Sequence, residues 1–266
     1  MKIIVVGYGP VGQATASALR NHPNVDLFID DPAMGHMYNH GEYNGLTEPD
    51  GVIICVATPM DPDTGACTVD NVRDVMDKYE GTKILIKSTT DPVWLRDNCN
   101  EDVTFCPEFL KGTTGADPTQ EFLEGEFAIY GGGHMRFWHE LFKPVLPNLK
   151  TVKFVTLEQA AFAKYTLNCF LATKVTFFNQ MEHIYRKAGF KDFDIMVDAL
   201  QVDPRVGDSH TQVPGPDGMY GYGGHCFPKD MSAMNVMGEA CNANTDLLNY
   251  IINLNTELRI KGGYEY

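Results

Sequence analysis

The start of the chain, MKIIVVGYGPVG, constrains the fold more than any other stretch, because an apolar run passes directly into closely spaced glycines. Residues 2–6 have the length and composition of a buried parallel strand. Gly7, Gly9 and Gly12 then form the pattern G-x-G-x-x-G where a helix-forming stretch begins. A strand, a tight glycine turn and a helix in this order predict the first part of a β-α-β unit.

Apolar runs return along the first half of the chain, separated by stretches such as 69–79 that look helical. The further predicted strands are 25–30, 51–59, 83–90, 103–109 and 126–132. Strands that alternate with helices form a parallel sheet that is covered on both faces. We therefore predict an α/β fold for residues 1–152, a doubly wound parallel sheet of the Rossmann type.

The sequence changes character near residue 150. Residues 156–187 lack glycine and proline and predict one long helix, which Gly189 would end. Its many apolar residues predict burial from several sides, including by a second subunit, so we expect a homodimer. Residues 153–266 are predicted to form a smaller, all-helical domain with a long glycine- and proline-rich loop.

The composition of the chain limits the classes of binding partner and the cellular compartment that we expect. The formal charge of -14 disfavours a nucleic-acid partner, because an acidic surface repels phosphates. No apolar run approaches the ~18 residues of a membrane-spanning helix. The chain starts on a predicted strand, which leaves no room for a signal peptide, and it has seven cysteines without a C-x-x-C pair. We expect a reduced, cytoplasmic location.

The glycine pattern has the context of a dinucleotide-binding turn. Its backbone amides and the positive end of the following helix suit a pyrophosphate. Asp30 closes the next predicted strand and would bind the ribose hydroxyls, which favours NAD over NADP. A structural turn without a ligand is the plainer alternative. The predicted cofactor residues of this turn are Gly7, Tyr8, Gly9, Pro10, Val11 and Gly12.

Polar residues follow the other predicted strands. They are Thr58 with Pro59, Ser88 with Thr89, and Glu108 after Pro107. Each alone is most simply a turn or capping residue. Because ligands bind beyond the carboxyl ends of parallel strands, together they predict a cleft on the edge that carries the glycine turn. Glu108 is the best acid–base candidate among them.

Lys164 and Asn168 lie four residues apart in the predicted long helix and therefore share one face. Their neighbours are largely apolar. A lysine in such surroundings either extends to solvent or belongs to a site. The matched Asn168 favours a site that stabilises an oxyanion.

The segment GYGGHCFPKD at 221–230 surrounds Cys226 with glycines and places Pro228 where a helix would begin. A helix N-terminus stabilises a thiolate, so Cys226 is a candidate nucleophile. A buried cysteine in a tight turn is the plainer alternative, and a metal site is disfavoured because Cys226 has no nearby partner cysteine. Asp230, four residues on, would position a water or hold Lys164.

These motifs together resemble the UDP-glucose/GDP-mannose dehydrogenase family. The matching stretches are GYGPVG, ATP at 57–59, KSTT at 87–90, PEFL at 107–110, AKYTLNCFLATKVTFFNQ at 163–180, DPRVG at 203–207 and GYGGHCFPKD. They follow the family's order and cover nearly the whole chain. DPRVG most resembles the UDP-glucose branch.

The resemblance implies oxidation of the primary alcohol of a nucleotide sugar to a carboxylate, through a thioester on Cys226 and with NAD as the oxidant. Lys164 and Asn168 would stabilise oxyanions, and Thr89, Glu108 and Asp230 would position or activate water. It also implies cofactor contacts from Thr58, Pro59, Thr89 and Lys229. The implied substrate-binding residues are Glu108, Phe109, Leu110, Lys111, Lys164, Asn168, Arg205, Tyr220, Gly221 and Gly223, with Arg205 reaching the neighbouring subunit's substrate.

The sequence departs from the family in two places. Many members carry a second glutamate after the proline motif, where this chain has Lys111 and Gly112, so we expect slower thioester hydrolysis or another base. The chain also stops soon after the helical region, without the family's nucleotide-binding third domain, so we expect a naturally short member, a fragment or one half of a two-protein assembly. GDP-mannose or a UDP-N-acetylhexosamine as substrate, an NAD-binding assembly protein without turnover, and a β-hydroxyacid dehydrogenase are the alternatives.

Overall fold

The computed structural model describes residues 1–31, 48–110 and 117–264, together with the backbone of 35–38. Its strands form one sheet in the order β3-β2-β1-β4-β5-β6-β7-β8. Their bounds are β1 Lys2–Val6, β2 Asp26–Asp31, β3 Gly35–Tyr38, β4 Gly51–Ile54, β5 Ile84–Ile86, β6 Val103–Phe105, β7 Phe127–Gly132 and β8 Thr151–Val155. Neighbouring strands are parallel except for the pairs β2/β3 and β6/β7.

Helices pack on the sheet and continue after β8. Their bounds are α1 Pro10–Arg20, α2 Asp70–Lys78, α3 Pro92–Asn98, α4 Pro118–Leu123, α5 Met135–Phe142, α6 Leu157–Lys187, α7 Phe193–Leu200, α8 Cys226–Ala240 and α9 Asp246–Lys261. The predicted α/β class with a following helical region is confirmed, and the predicted long helix is α6. Among the described residues, no helix has both the length and the apolar character needed to cross a bilayer.

The sheet is buried on both faces because its strands are apolar throughout. Ile3 and Val5 of β1 enter one core together with residues of α1 and α5. Ile4 and Val6 enter the opposite core together with residues of α2. This two-sided burial explains why the central strands are continuous apolar runs.

Two strands, β3 and β8, and two antiparallel pairs were not among the sequence predictions. In β8, most side chains are exposed or half-buried, so the strand lacks the apolar run by which the others were found. Strand β3 is four residues long. The sheet is therefore mostly, rather than wholly, parallel.

The chain divides into two compact units. Unit 1 comprises residues 1–59 and 67–164, and unit 2 comprises 60–66 and 165–266. This division differs from the predicted boundary between 152 and 153, because β8 spans that position and the first residues of α6 belong to unit 1. The segment 60–66 is held within unit 2, where Ser232 Oγ donates to Gly65 O at 2.9 Å.

Unit 2 holds its glycine- and proline-rich loop through polar contacts with two of its helices. Lys174 Nζ donates to Val206 O at 2.8 Å. Asn179 Oδ1 accepts from Gly221 N at 3.0 Å, and Asn255 Oδ1 accepts from Tyr222 N at 2.7 Å. Buried side-chain amides thus satisfy backbone groups of a loop that lacks regular structure.

His210 in this loop makes the stability of unit 2 dependent on pH. Burial, with a further contribution from the charge of Lys174, lowers its pKa below the ordinary value near 6.5. The unfolded chain therefore binds a proton more readily than the folded chain. The stabilising contribution is present above that value and is lost as the pH falls through the lowered pKa.

We predict that lowering the pH from about 7.5 to about 5.5 decreases the free energy of unfolding less in His210→Asn than in the unaltered protein. Asparagine tolerates the left-handed backbone at this position, where φ is 62°, and does not titrate. Urea unfolding at several pH values measures the difference. His225→Asn, at an exposed histidine, is the matched control. Equal pH slopes for His210→Asn and the unaltered protein would contradict the assignment.

Candidate active site

The glycine turn between β1 and α1 combines two tightly packed positions with one open position. Gly7 has φ +90°, and a Cβ there would lie 2.6 Å from Cys55 O. A Cβ on Gly12 would overlap Gly7 O. A Cβ on Gly9, by contrast, would meet nothing within 4 Å. Gly7 and Gly12 are therefore required by the fold, whereas Gly9 leaves its backbone accessible to another molecule.

Helix α1 starts directly at this open position. Gly9 is its N-cap residue and Pro10 its first residue, and Gln13 N donates to Gly9 O at 2.8 Å. The amides of a first helical turn have no partner within the helix and carry the positive end of its dipole. The turn therefore fits the pyrophosphate of a dinucleotide.

Two acidic residues at the end of β2 divide their contacts between different groups. Asp30 Oδ2 lies 2.7 Å from Lys78 Nζ and 3.4 Å from Tyr79 Oη. The bond to Asp30 raises the pKa of Lys78. Asp31, rather than Asp30, is the last residue of the strand, and its Oδ2 accepts from Tyr8 N at 2.7 Å. The carboxylate that bonds the glycine turn is thus that of Asp31, whereas the predicted residue Asp30 reaches the turn through its backbone carbonyl, which accepts from Gly7 N at 2.8 Å.

The predicted polar residues after β4 and β5 lie at one edge of the sheet, because these strands are parallel neighbours. Ser88 Oγ donates to Val56 O at 2.7 Å, so its hydroxyl is bonded to the backbone. Thr58 O and Thr89 O each accept a contact from Cys67 Sγ, at 3.7 and 3.4 Å. Cys67 was not singled out from the sequence, since nothing in its flanking residues marks it.

Lys164 is held by Glu108, which follows β6. The Lys164 ammonium donates to Glu108 O at 2.7 Å and lies 3.4 Å from Glu108 Oε1. The Lys164 side chain is buried and that of Glu108 is 11% exposed. Glu108 Oε2 also accepts from Leu110 N at 2.6 Å. The Phe109 ring lies 5.4 Å from the ammonium. The predicted residue Lys111 lies outside the described residues.

Within unit 2, Asp230 of α8 is the centre of a buried polar cluster. Its side chain is 1% exposed. Asn168 Nδ2 of α6 donates to Asp230 Oδ2 at 2.5 Å, and Lys229 Nζ donates to Oδ1 at 2.6 Å. Both carboxylate oxygens are therefore satisfied by charge-assisted hydrogen bonds, which offset the desolvation of the buried charge. The sequence predicted these residues as candidates but not this pairing.

Cys226 is the first residue of α8 and is exposed. Pro228 lies in the same first turn, as predicted, and the positive end of the helix dipole lies at the thiol's position. The exposure rules out the alternative of a buried structural cysteine. Asp230 follows one turn later in the same helix.

The glycines before Cys226 serve the fold more than the sequence analysis expected. A Cβ on Gly221 would overlap the Asn255 side chain, and one on Gly223 would overlap Arg259. These two positions therefore have no room for a side chain, because the chain itself packs against them. Gly224, with φ +74°, has nothing within 4 Å of such a Cβ and remains open.

Two further predicted substrate residues lie in the loop of unit 2. Arg205 is exposed and pairs with Asp203, with Nε 3.0 Å from Oδ1. Tyr220 Oη accepts from Arg186 Nη2 at 3.0 Å. Among the residues described by the structure, no three histidine, cysteine or acidic side chains are placed to hold a metal ion.

Comparison with known proteins agrees with the motifs. The model of the UDP-glucose/GDP-mannose dehydrogenase family, central domain, matches residues 158–257. UDP-glucose 6-dehydrogenase YwqF of Bacillus subtilis is 29% identical over 251 residues, which cover 86% of this chain and 54% of that protein. The chain spans about half the length of the curated relatives it matches.

Solved structures share the fold. The structure of a UDP-glucose dehydrogenase from Pyrobaculum islandicum has a TM-score of 0.78 at 22% identity and covers 96% of this chain and 68% of its own. A 3-hydroxyisobutyrate dehydrogenase from Mycobacterium tuberculosis has a TM-score of 0.71 at 16% identity, with coverage of 98% and 94%. The chain therefore falls in the class of Rossmann-fold proteins whose sheet is followed by a helical unit. Within that class, residues 158–257 match the central-domain model of the UDP-glucose/GDP-mannose dehydrogenase family, in agreement with the resemblance that the motifs indicated.

The two kinds of glycine in the turn predict opposite effects of one substitution. Gly9→Ala keeps the thermal midpoint and weakens NAD binding about tenfold or more, because the new methyl group occupies the open position. Gly12→Ala lowers the stability by about 1–3 kcal/mol, because its methyl group overlaps Gly7 O. Thermal unfolding and calorimetric titration with NAD measure both. Unchanged NAD affinity in Gly9→Ala would show that the turn is structural only.

Proposed function

We propose that this protein oxidises the primary alcohol of a nucleotide sugar to a carboxylate with NAD, most simply UDP-glucose to UDP-glucuronate. The observation that carries the proposal is Cys226, exposed at the first residue of α8 and followed one turn later by the buried Asp230 cluster. An accessible thiol with the dipole of a helix behind it has the chemistry of a nucleophile. The names of the relatives support the substrate class.

The proposed cofactor site is the turn from Gly7 to Gly12. When bound, NAD accepts a hydride from the substrate carbon, and the full oxidation consumes two molecules of it. The chain's own groups bind and orient NAD. The amides at the start of α1 hold its pyrophosphate, and Asp30 holds its ribose. Asp31 orients the glycine turn by accepting from Tyr8 N. Thr58, Pro59, Thr89 and Lys229 complete the proposed cofactor contacts.

The proposed chemistry proceeds through a covalent bond to Cys226. Loss of a hydride and a proton converts the alcohol to an aldehyde, and the Cys226 thiolate adds to its carbon to give a thiohemiacetal. Loss of a second hydride and the hydroxyl proton gives a thioester. Water then cleaves the carbon–sulfur bond, which yields the carboxylate and returns the thiol.

Lys164 and Asn168 are the proposed oxyanion donors. The Lys164 ammonium has three protons, and its described acceptors are both on Glu108, so it stays oriented while it can donate to substrate. Asn168 uses its amide to bind Asp230 and is thereby held in one rotamer. Donors that are fixed before the reaction stabilise developing negative charge without reorganising.

Water for the final step needs a base. Glu108 is the proposed base, with Thr89 and Asp230 positioning the water. Asp230 already accepts from two side chains, so positioning suits it better than proton transfer.

The proposed substrate contacts add Phe109, Leu110, Lys111, Tyr220, Gly221, Gly223 and Arg205. The exposure of Arg205 fits its proposed reach towards the substrate of a neighbouring subunit.

We further propose a cytoplasmic homodimer that forms through α6. All seven cysteines lie in the described ranges and remain thiols, as in a reduced compartment. Phe170, Phe177 and Ile184 are exposed at intervals of seven residues along α6. This spacing places them in one stripe, which a second copy of α6 would cover.

The dimer predicts that light scattering at micromolar concentration gives about twice the chain mass of 29.6 kDa. Phe177→Glu is expected to halve the measured mass, because a carboxylate in the middle of a buried stripe is strongly disfavoured. Phe154→Glu, at an exposed phenylalanine of β8 in unit 1, should leave the mass unchanged. A monomeric unaltered protein would contradict the proposal.

A β-hydroxyacid dehydrogenase is the second candidate function. The structure of the 3-hydroxyisobutyrate dehydrogenase matches nearly the whole length of both chains, and Lys164 is a buried helix lysine of the type that such an enzyme would use. That chemistry needs no cysteine. An NAD-binding assembly protein without turnover would bind NAD and form no thioester.

We predict that Cys226→Ala lowers NADH-coupled formation of the sugar carboxylate by roughly three orders of magnitude, because the covalent route is lost. An assay of the chain as given against a panel of nucleotide sugars, with a mass measurement for acyl-Cys226, tests this. Cys241→Ala is the matched control, because Cys241 is also exposed and directly follows the last residue of α8. Full activity in Cys226→Ala would point to the β-hydroxyacid alternative, and NAD binding without any turnover would point to the assembly protein.

A further inference from the structure

Unit 1 contains a cavity of about 900 Å³ whose walls are mainly aromatic and aliphatic. This volume is in the range of pockets that hold small organic ligands. Its apolar walls include Phe109, Phe122, Phe127, Tyr130, Phe142 and Leu146. All the residues that line the cavity belong to unit 1.

One buried cation lines this cavity. Lys87 follows β5, is 4% exposed, and is the one basic residue among the described lining residues. Its ammonium donates one hydrogen bond, to Cys106 O at 3.3 Å. The rings of Phe122 and Phe142 lie 5.0 and 5.8 Å from it. An ammonium has three protons, so this environment leaves donor capacity for a ligand.

Among the described residues, Lys87 has no carboxylate within ion-pair distance. None of the described ion pairs involves it. The nearby Cys55 and Cys106 thiols are neutral, since burial raises the pKa of Cys55 to about 12 and also raises that of Cys106. Glu108, which lines the cavity, has its carboxylate bonded to Leu110 N and close to Lys164. A buried charge without a paired charge is costly, and an anion from outside would relieve that cost.

The acidic residues of the cavity limit which anion fits. Besides Glu108, the described lining includes four carboxylates, those of Asp117, Glu121, Glu124 and Glu126. Glu126 pairs with Lys150, and Asp117 accepts from Thr119 N, but their charges still oppose a dianion such as a phosphate ester. A single negative charge on an apolar body matches one buried ammonium inside aromatic walls.

We propose that this cavity is a binding site for an apolar monocarboxylate, whose carboxylate bonds the Lys87 ammonium and whose body packs against Phe122 and Phe142. This site shares Glu108, Phe109 and Leu110 with the proposed substrate contacts, but its receptor group, Lys87, takes no part in the proposed sugar oxidation. Its ligand is recognised by one charge and an apolar surface, whereas a nucleotide sugar carries several charges and hydroxyls.

A pair of matched probes tests the site on the unaltered chain. The probes are 3-phenylpropanoate and its uncharged amide, 3-phenylpropanamide, which has nearly the same shape. Calorimetric titration at neutral pH should show that the carboxylate binds about tenfold or more tightly than the amide, because a hydrogen bond between charged groups is lost in the amide. Equal affinities, or no binding of the carboxylate at millimolar concentration, would overturn the proposal.

Two variants locate the interaction. Lys87→Met removes the charge while keeping an unbranched side chain only one atom shorter, and should abolish the preference for the carboxylate while the amide still binds. Lys83→Met removes a lysine next to the other end of β5, where the ammonium lies over the Phe137 ring, and should keep the preference. If both variants keep the preference or both lose it, Lys87 is not the receptor. If Lys87→Met does not fold, the probe pair on the unaltered chain decides the question.

Discussion

A buried charged side chain needs a hydrogen-bonding partner, and this requirement fixes the arrangement of the candidate active-site residues in both units. In unit 1 the Lys164 ammonium is satisfied by the carbonyl and carboxylate of Glu108, and in unit 2 Asp230 is satisfied by Asn168 and Lys229. Removing one partner from either set would leave a charge in a low-dielectric interior, which is strongly destabilising. The side chains proposed for the chemistry are thus fixed by the same bonds that make their burial tolerable.

The turn from β1 to α1 shows what could be predicted from the sequence and why. Its glycine spacing is a local pattern, and the roles of Gly7 and Gly12 follow from steric contacts within a few residues. The start of α8 was predictable from an equally local signal, because Pro228 marks a first helical turn. A substitution at Gly9 and one at Gly12 look alike in the sequence, yet only the surrounding backbone shows which of them the fold requires.

The partners of the polar residues were not predictable in the same way. Lys164 meets Glu108 across 56 residues and Asn168 meets Asp230 across 62, and no local pattern encodes such pairings. The sequence offered Asp230 as a partner of Lys164, whereas Glu108 holds that lysine. Strand β8 was missed because its side chains are mostly exposed or half-buried, and the packing of Asn255 and Arg259 beside Gly221 and Gly223 was not predictable because both side chains come from a distant helix.

The short segment 60–66 has a consequence for synthesis of the chain on the ribosome. In the sequence it lies between the two parts of unit 1, but it belongs to unit 2, where Gly65 O accepts a hydrogen bond from Ser232, 167 residues later. At 5–20 residues per second, roughly 8–33 seconds separate the appearance of these two partners. For that interval the segment 60–66 lacks its Ser232 partner, so residues translated much later complete a contact that Gly65 begins.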